Sequence, residues 1–594
     1  MSTQDIIKIK VPHQELESSS FFDCEGDAVA KWVAALPMAN LGQTTRQLYQ
    51  ALAELNQVRM LPSKRMTLLE KLRAPIYYVT KGLAKHYLNQ AIVLAEQPRK
   101  VAKLAHTLHL QLATGYTIVA THTAALGNKH SEQSKPTDII ATALHRAITD
   151  HCLNMQRHYQ LYQPVKKGIW HHLHQFYNLA SQHNILATKI NDTELGTCTV
   201  EESYMRALLM GCSKPNQLRQ EDFKNIFQLL TAWTKLCQLN PATSDGLFVI
   251  DPTGDKSPVY RELYESELPL HWISFNIRKL VDHLKQLHKN ANHAKLNVKD
   301  KAHPISQDLL GHLVLTWESM GKRTFIRLNS EGNLGLCIGL SATHHFVSGE
   351  LSFEALVEEH GVQTFTMQHE NPFLKTQSQQ LRQKDVWDSP YEANIGQTSV
   401  AIESVEFRIR EGGDSLEKNK YHSCGVQIVN SSTHGYCVEW PEDGKAHIKT
   451  GEIVGLKESH SHNWSVAVIR WVSHESSQHT QLGLELISPS AAPYGARIIH
   501  KTGGSAEYMR VLILPEVPAT QQAVTLLTPR VPFHSGQKVI LNQRAKEVQI
   551  QLGDKVNEIG AYNQFEFHRL TGAHTPDSDD HNQTDDFDSL WGNL

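Results

Sequence analysis

From about Gly26 to His303 the apolar residues recur three and four positions apart, and Pro or Gly punctuates the runs, a periodicity that predicts helices. Leu48, Leu52 and Leu55 behind Thr44 as N-cap form one such stretch. Ile169, Leu173, Phe176 and Ala180, opened by Pro164 and Gly168, form another. The spacing of Pro62, Pro75, Pro98, Pro136, Pro164 and Pro215 predicts several short helices stacked as hairpins, in a solenoid-like arrangement without a fixed repeat period.

Near Leu310 the pattern changes. A last helix, LLGHLVLTWESM, runs into KRTFIRLNSEGNLGLCIGLSATHHFV, which reads as a loop and then a strand. Residues 348–420 are polar and broken by Gly412-Gly413, as an irregular insertion or long loop would be. CGVQIVNSSTHGYCVEW, EIVGLKE, WSVAVIRWV and QLGLELIS then supply four short strands at the spacing of a small antiparallel barrel. EYMRVLILPEV, QAVTLLTP, QKVILN, KEVQIQLG and NQFEFHRL make a second β series. The expected architecture is multidomain α+β. An extended segment occupies 1–25, an all-helical scaffold 26–303, an antiparallel β-barrel with its insertion 304–490, a second small all-β domain 491–570, and a disordered acidic tail 571–594.

A length of 594 residues with 40% hydrophobic and 20% charged residues supports packed cores and excludes wholesale disorder. The formal charge of −3 excludes the strongly basic character of histone-like proteins. That balance is uneven, because Asp577, Asp579, Asp580, Asp585, Asp586 and Asp588 crowd one end, and removing their charges turns −3 into +3. Phe587, Leu590, Trp591 and Leu594 interleave with these acids, so the tail is a candidate docking segment. Eight cysteines without a CxxC pair argue against a disulfide framework or structural zinc. The opening MSTQDIIKIKVPHQE has no apolar signal core, and the window from Leu104 to Leu126 is interrupted by His106, His109, Gln111 and His122. A cytoplasmic protein without a transmembrane segment is expected.

The 35 histidines invite a metal hypothesis. His474, Glu475 and His479 spell HExxxH, in which histidines five apart do not share a helical face. The group His171, His172 and His174, and the pair His460 and His462, lack completing ligands at metal spacing and read as surface or half-buried structural histidines. Walker, GxSxG and GxGxxG patterns are missing, which disfavours an enzyme.

Two elements gain meaning together. Arg323 and Arg327 form RxxxR ahead of a strand, and Asn430, Ser432 and Gly435 form NxSxxG at the end of another. Arginine presents a planar, permanently charged fork that pairs with phosphate oxygens or with the O6 and N7 edge of guanine. Asn430 can exchange hydrogen bonds with the opposite guanine edge, Ser432 adds a short donor and acceptor, and Gly435 turns the strand end where a side chain would obstruct.

These residues, with GEIVGLKE, VAVIRWV and QLGLELIS following, resemble the PilZ domain, the bacterial receptor module for cyclic di-GMP. The resemblance covers about 120 residues of the barrel. It implies that Arg323 and Arg327 bind phosphate and guanine, with Lys322 adding charge beside them, while Asn430 and Ser432 read a guanine edge beside Gly435. It further implies a non-catalytic receptor that needs no cofactor. Its ligand would be cyclic di-GMP, coupled to a protein partner in type IV pilus motility, adhesion or biofilm formation.

The chain departs from the ordinary family pattern, since 103 positions separate Arg327 from Asn430. A rival pair, Arg408 and Arg410 in VEFRIREGG, lies nearer but has RxR spacing, and Arg323 with Arg327 is preferred. Two other functions remain open: a PilZ-like adaptor that binds only protein, or nucleic-acid binding. The latter would use Arg278, Lys279, Lys285, Lys289, Lys295, Lys299 and Lys301, opposed in sequence by Asp282 and Asp300. Thin aromatic interleaving disfavours it.

Overall fold

The computed structural model describes residues 9–126, 135–264, 267–289, 295–298, 301–318, 332–357, 421–432, 434–441, 448–458, 461, 463–476, 479–499, 507–516, 523–559 and 561–570. They form two compact units. The first is Met1–Thr324 with Pro441–Lys449 and Trp471–Gln481, and the second is Phe325–Trp440, Thr450–Arg470 and Leu482–Leu594.

The first unit is built on helices α1 (Gly26–Ala34), α2 (Leu41–Leu55), α3 (Pro62–Ala84), α4 (Glu96–Leu126), α5 (Pro136–Gln160), α6 (Ile169–Gln182), α7 (Val200–Cys212) and α8 (Phe223–Trp233). Helix α6 starts after Gly168 at φ 94 and buries Ile169, Leu173, Phe176 and Ala180, the face that the periodicity predicts. Helix α2 buries Leu48, Leu52 and Leu55, but its N-cap is Asn40, whose side chain accepts from the Gln43 N–H at 3.1 Å. Thr44 lies inside the helix, and its hydroxyl donates to the Pro37 carbonyl at 2.7 Å.

The prolines also act differently from the expectation of short helices. Pro62 and Pro136 occupy first turns, where a missing N–H costs nothing, Pro98 is the third residue of α4, and Pro75 sits within α3. The helices therefore reach 23, 31 and 25 residues in α3, α4 and α5. Helix α4 packs on α2, α3 and α5, which makes a bundle with one core and not a solenoid's nearest-neighbour stack.

Strands also enter this region. They are hairpin β1 (Ile190–Asp192) and β2 (Gly196–Cys198), and β3 (Gln238–Pro241), β4 (Phe248–Ile250), β5 (Val259–Tyr260) and β6 (Ile273–Asn276) in a sheet of order β3-β6-β4-β5. β4 is buried throughout, and so short an apolar run shows no alternation. Helix α9 (Arg278–Lys289), hairpin β7 (Lys295–Val298) and β8 (Lys301–Pro304), and helix α10 (Gln307–Glu318) complete the unit.

The second unit holds two closed barrels. The first joins β9 (Asn333–Ile338), β10 (Ser423–Ser432), β11 (Gly435–Trp440), β12 (Ile453–Glu458), β13 (Ser465–Ser476) and β14 (His479–Ser488) in the order β10-β11-β14-β13-β12-β9. CGVQIVNSSTHGYCVEW is itself a hairpin, and β9, the strand expected ahead of the insertion, closes the ring, which brings the barrel to six strands. The second joins β15 (Ala492–Ile498), β16 (Met509–Leu514), β17 (Thr525–Pro529), β18 (Lys538–Gln543), β19 (Lys546–Ile559) and β20 (Tyr562–Arg569) in the order β15-β16-β17-β20-β19-β18.

SATHHFV, read as strand, is helical. Gly339 at φ 92 ends β9, and helix α11 (Leu340–Val347) follows, with helix α12 (Phe353–Val357) after it. The His344 Nε2–H donates to the Tyr494 carbonyl at 3.1 Å, so α11 is anchored on β15. Ile453, Val466 and Val468 of the first barrel pack with Leu512, Leu514, Leu527 and Tyr562 of the second, beside Leu340 and Val347 of α11. Fully burying such side chains is worth about 1.5–3 kcal/mol each, so this shared core couples the barrels.

Candidate functional site

Lys322, Arg323, Arg327, the rival Arg408 and Arg410, His460, His462 and the acidic tail lie outside the described residues. Asn430, Ser432 and Gly435 lie on the hairpin of β10 and β11. Ladder partners show which way they face. Val426 pairs with Leu334, and Ile428 with Val438, and this face carries the buried Val426, Leu334 and Val438. Strict alternation would place Asn430 and Ser432 on it too.

The register, however, passes from Ile428↔Val438 directly to Asn430↔Cys437, leaving Val429 as the extra residue of a β-bulge. From there Asn430 and Ser432 share the opposite face with Cys437 and Gly435, the face that carries Gln427 and Glu439 before the bulge. Both polar side chains are therefore turned outward and remain half-buried. The Asn430 amide has no partner among the described residues, while Ser432 Oγ donates weakly to the Gly435 carbonyl at 3.4 Å.

Gly435 is required by close approach. A Cβ there would stand 2.0 Å from the Leu484 carbonyl oxygen and 3.1 Å from Glu485 Cα, both backbone atoms of β14. The neighbouring Leu486 N–H donates to the His434 carbonyl at 2.9 Å, so the turn is clamped to β14. Glu485 is paired with Arg470 of β13 through the guanidinium Nε–H. Sequence reading overlooked this pair as a site feature, although Arg470 belongs to VAVIRWV; only strand order brings it near the motif. At the same barrel end the Tyr436 hydroxyl donates to Glu458 at 2.6 Å, and burial together with this carboxylate pushes the phenol up to about 12.

Two of the histidines singled out by their spacing have partners within the fold. His174 is fully buried between the Tyr204 hydroxyl at 2.6 Å and the Lys256 carbonyl at 3.0 Å. His474 is buried, with Nδ1 at 2.6 Å from Thr480 Oγ1. Among the described residues no group of three or more His, Cys, Asp or Glu is arranged to hold a metal ion.

One cluster has the residue types of a hydrolase triad. Ser203 Oγ lies 2.6 Å from His145 Nδ1, and His145 Nε2 lies 3.0 Å from Asp192 Oδ2. All three are buried, and Ser203 also donates to the Thr199 carbonyl at 2.8 Å. Burial would raise the Asp192 pKa, but His145, Arg73 and Arg146 hold it well below the carboxylate range. Burial in turn holds His145 at about 4. This closed network braces α3, α5, β1 and α7 and offers a substrate no approach.

The basic stretch is also less bare than its sequence. Arg278 pairs with Asp245 and Lys285 with Glu318, each at 2.7 Å, using acids from outside the window. Lys299 lies outside the described residues. No helix of the described residues is long and apolar enough to cross a membrane.

Comparison with known proteins accounts for nearly the whole chain. Residues 27–243 match the N-terminal domain of the cyclic-di-GMP receptor FimW, residues 247–493 its middle PilZ domain, and residues 494–570 its C-terminal β-barrel domain. The cyclic-di-GMP receptor FimW of Pseudomonas aeruginosa is 34% identical over 618 aligned positions, covering 99% of each chain. No solved structure gives a significant match. The helical first unit, the barrel bearing NxSxxG and the second barrel follow the order of these matches, and the chain belongs to the FimW family of cyclic-di-GMP receptors.

Proposed function

We propose that this chain is a non-catalytic, cytoplasmic cyclic di-GMP receptor that binds the dinucleotide on the outer face of its first barrel. The observation that carries this reading is the bulge at Val429, which turns Asn430 and Ser432 out of the barrel beside Gly435. Arg323 and Arg327, with Lys322, supply the cationic half of the site. Gly332 follows Arg327 by five positions, a reach of at most about 18 Å, and the Gly332 carbonyl accepts from the Ile428 N–H at 2.8 Å. This short connection to Gly332 supports the pairing of the arginine segment with Asn430 in one site.

In this reading the arginine forks pair with phosphate oxygens and with guanine O6 and N7, while Asn430 and Ser432 address another guanine edge. A receptor without chemistry acts through differential contacts, so ligand binding selects a conformation that a protein partner recognises. Bacterial surface behaviour, including type IV pilus motility, adhesion and biofilm formation, is the output that the receptor family suggests.

Calorimetry of the full chain with cyclic di-GMP tests this. The wild type binds, and Arg323→Ala, Arg327→Ala and Ser432→Ala each weaken binding about tenfold or more. Lack of binding by folded wild type would replace the receptor reading with a protein-binding adaptor. Loss of binding in Arg408→Ala but not in Arg323→Ala would move the cationic half of the site to the rival pair.

A further inference from the structure

A carboxamide cannot satisfy the whole Watson–Crick edge of guanine. That edge offers one acceptor, O6, and donors at N1–H and the exocyclic N2–H2. Asn430 can donate to O6 and accept from N1–H, which spends its amide and leaves the exocyclic amine unmatched. The outer face of the first barrel holds an acceptor for it. Glu485 of β14 is exposed, and its Cα lies 3.1 Å from where a Gly435 Cβ would stand. Gly435 is the ladder partner of Ser432 and shares its face with Cys437, the partner of Asn430. Asn430 and Glu485 thus stand on the two strands flanking β11, one on each side. Neighbouring strands lie about 4.8 Å apart, and Cys437 and Gly435 are two residues, about 7 Å, apart along β11, so the two backbones are about 12 Å apart, a gap that two side chains and a purine edge can fill.

We infer that Glu485 is a specificity-determining residue of this site, accepting a hydrogen bond from the exocyclic amine of one guanine, and that Arg470 positions its carboxylate. The pairing with Arg470 Nε–H fixes one carboxylate oxygen and leaves lone pairs for the ligand. Gly435 contributes by having no side chain between Ser432 and Glu485. The inference rests on the receptor reading above and adds to it the atom by which guanine is told from a purine lacking the amine.

The test is calorimetry of the full chain with cyclic di-GMP and with its inosine counterpart, cyclic di-IMP, which lacks only the exocyclic amines. Wild type prefers cyclic di-GMP by roughly tenfold or more, the size of a hydrogen bond to a charged group. Glu485→Ala loses most of that preference by weakening cyclic di-GMP while leaving cyclic di-IMP nearly unchanged. Adding Asn430→Asp to Glu485→Ala restores it, because a carboxylate there accepts from both guanine donors. Arg470→Ala reduces the preference severalfold in the wild type and changes nothing further in Glu485→Ala, as a positioning residue must. Unchanged melting of Glu485→Ala is expected for an exposed pair and assures the comparison. An intact preference in Glu485→Ala overturns the inference while the receptor reading stands. Absent binding in wild type, or full binding by Ser432→Ala, overturns the receptor reading itself.

Discussion

In the second barrel the buried Asn563 donates its amide to the Arg530 carbonyl at 3.0 Å, and the buried Gln564 donates to Thr525 Oγ1 at 2.9 Å. In the first barrel Asn430 sits at a strand end and faces away from the core, its amide unpaired among the described residues. Both barrels close with six strands. The difference lies in where a strand amide finds its partners. An amide buried on either face of a strand takes up carbonyls and hydroxyls left over by the ladder and becomes part of the fold. An amide rotated outward by one extra residue keeps its hydrogen-bonding capacity for something that is not the protein.

The largest effect that would break this comparison is backbone contact at glycine. Gly435→Ala forces a Cβ onto the Leu484 carbonyl, and we expect at least about 3 kcal/mol of destabilisation in denaturant melts, together with loss of cyclic di-GMP binding. Gly536 in the second barrel has φ +81 with open space around it, so Gly536→Ala costs only the left-handed backbone, about 1–2 kcal/mol. Equal costs at the two positions would show that the β11 to β14 approach is looser than described.

The amides themselves give the next effect. Asn563→Ala strands a buried carbonyl and costs about 1–3 kcal/mol of stability without altering ligand affinity. Asn430→Ala changes stability by less than about 0.5 kcal/mol and weakens cyclic di-GMP binding about tenfold. Paired melts and titrations of the two variants decide whether the outward and inward roles are separate.

Acidification probes the helix that joins the barrels. Burial, reinforced by the charge of Arg510, lowers the His344 pKa to about 3, so the folded chain keeps this imidazole neutral. The unfolded chain takes up the proton first, and the stabilisation is complete above the unfolded value of about 6.5 and is lost as pH falls from there toward 3. For this site the limiting slope is about 1.4 kcal/mol per pH unit. A His344→Asn variant should flatten the pH dependence of melting in that window.

Smallest of all are the exposed ion pairs. Glu547→Ala in the second barrel breaks the 2.9 Å pair with Arg497 and should shift stability by less than about 1 kcal/mol. Glu485→Ala in the first should shift stability as little, yet alter guanine discrimination. A ligand effect from Glu547→Ala would show that the outer-face site extends beyond the first barrel.

Much of the fold was legible because it repeats. The four apolar residues of α6 fall on one face in sequence and in structure, and the strand series after Ser423 became two barrels. Single events were less legible. The cap of α2 moved from Thr44 to Asn40, since either side chain can accept an N–H and only the incoming chain decides which. SATHHFV became a helix because burial against β15 satisfies His344 there, a tertiary fact. The Arg470 and Glu485 pair was invisible because closure brings β13 and β14 beside the motif without any sequence proximity to Asn430.

The sequence by itself determined the order of a helical region and two β units, and it offered Asn430, Ser432, Gly435 and the arginine pair as candidates for a binding site. These depend on residue type and short-range periodicity, which a chain carries locally. Which way the chemistry points was decided by tertiary structure. Alternation from Val426 and Ile428 would have turned Asn430 and Ser432 into the core, and one unpaired residue, Val429, reversed them. A bulge is a property of two strands and their register, so no single strand can announce it.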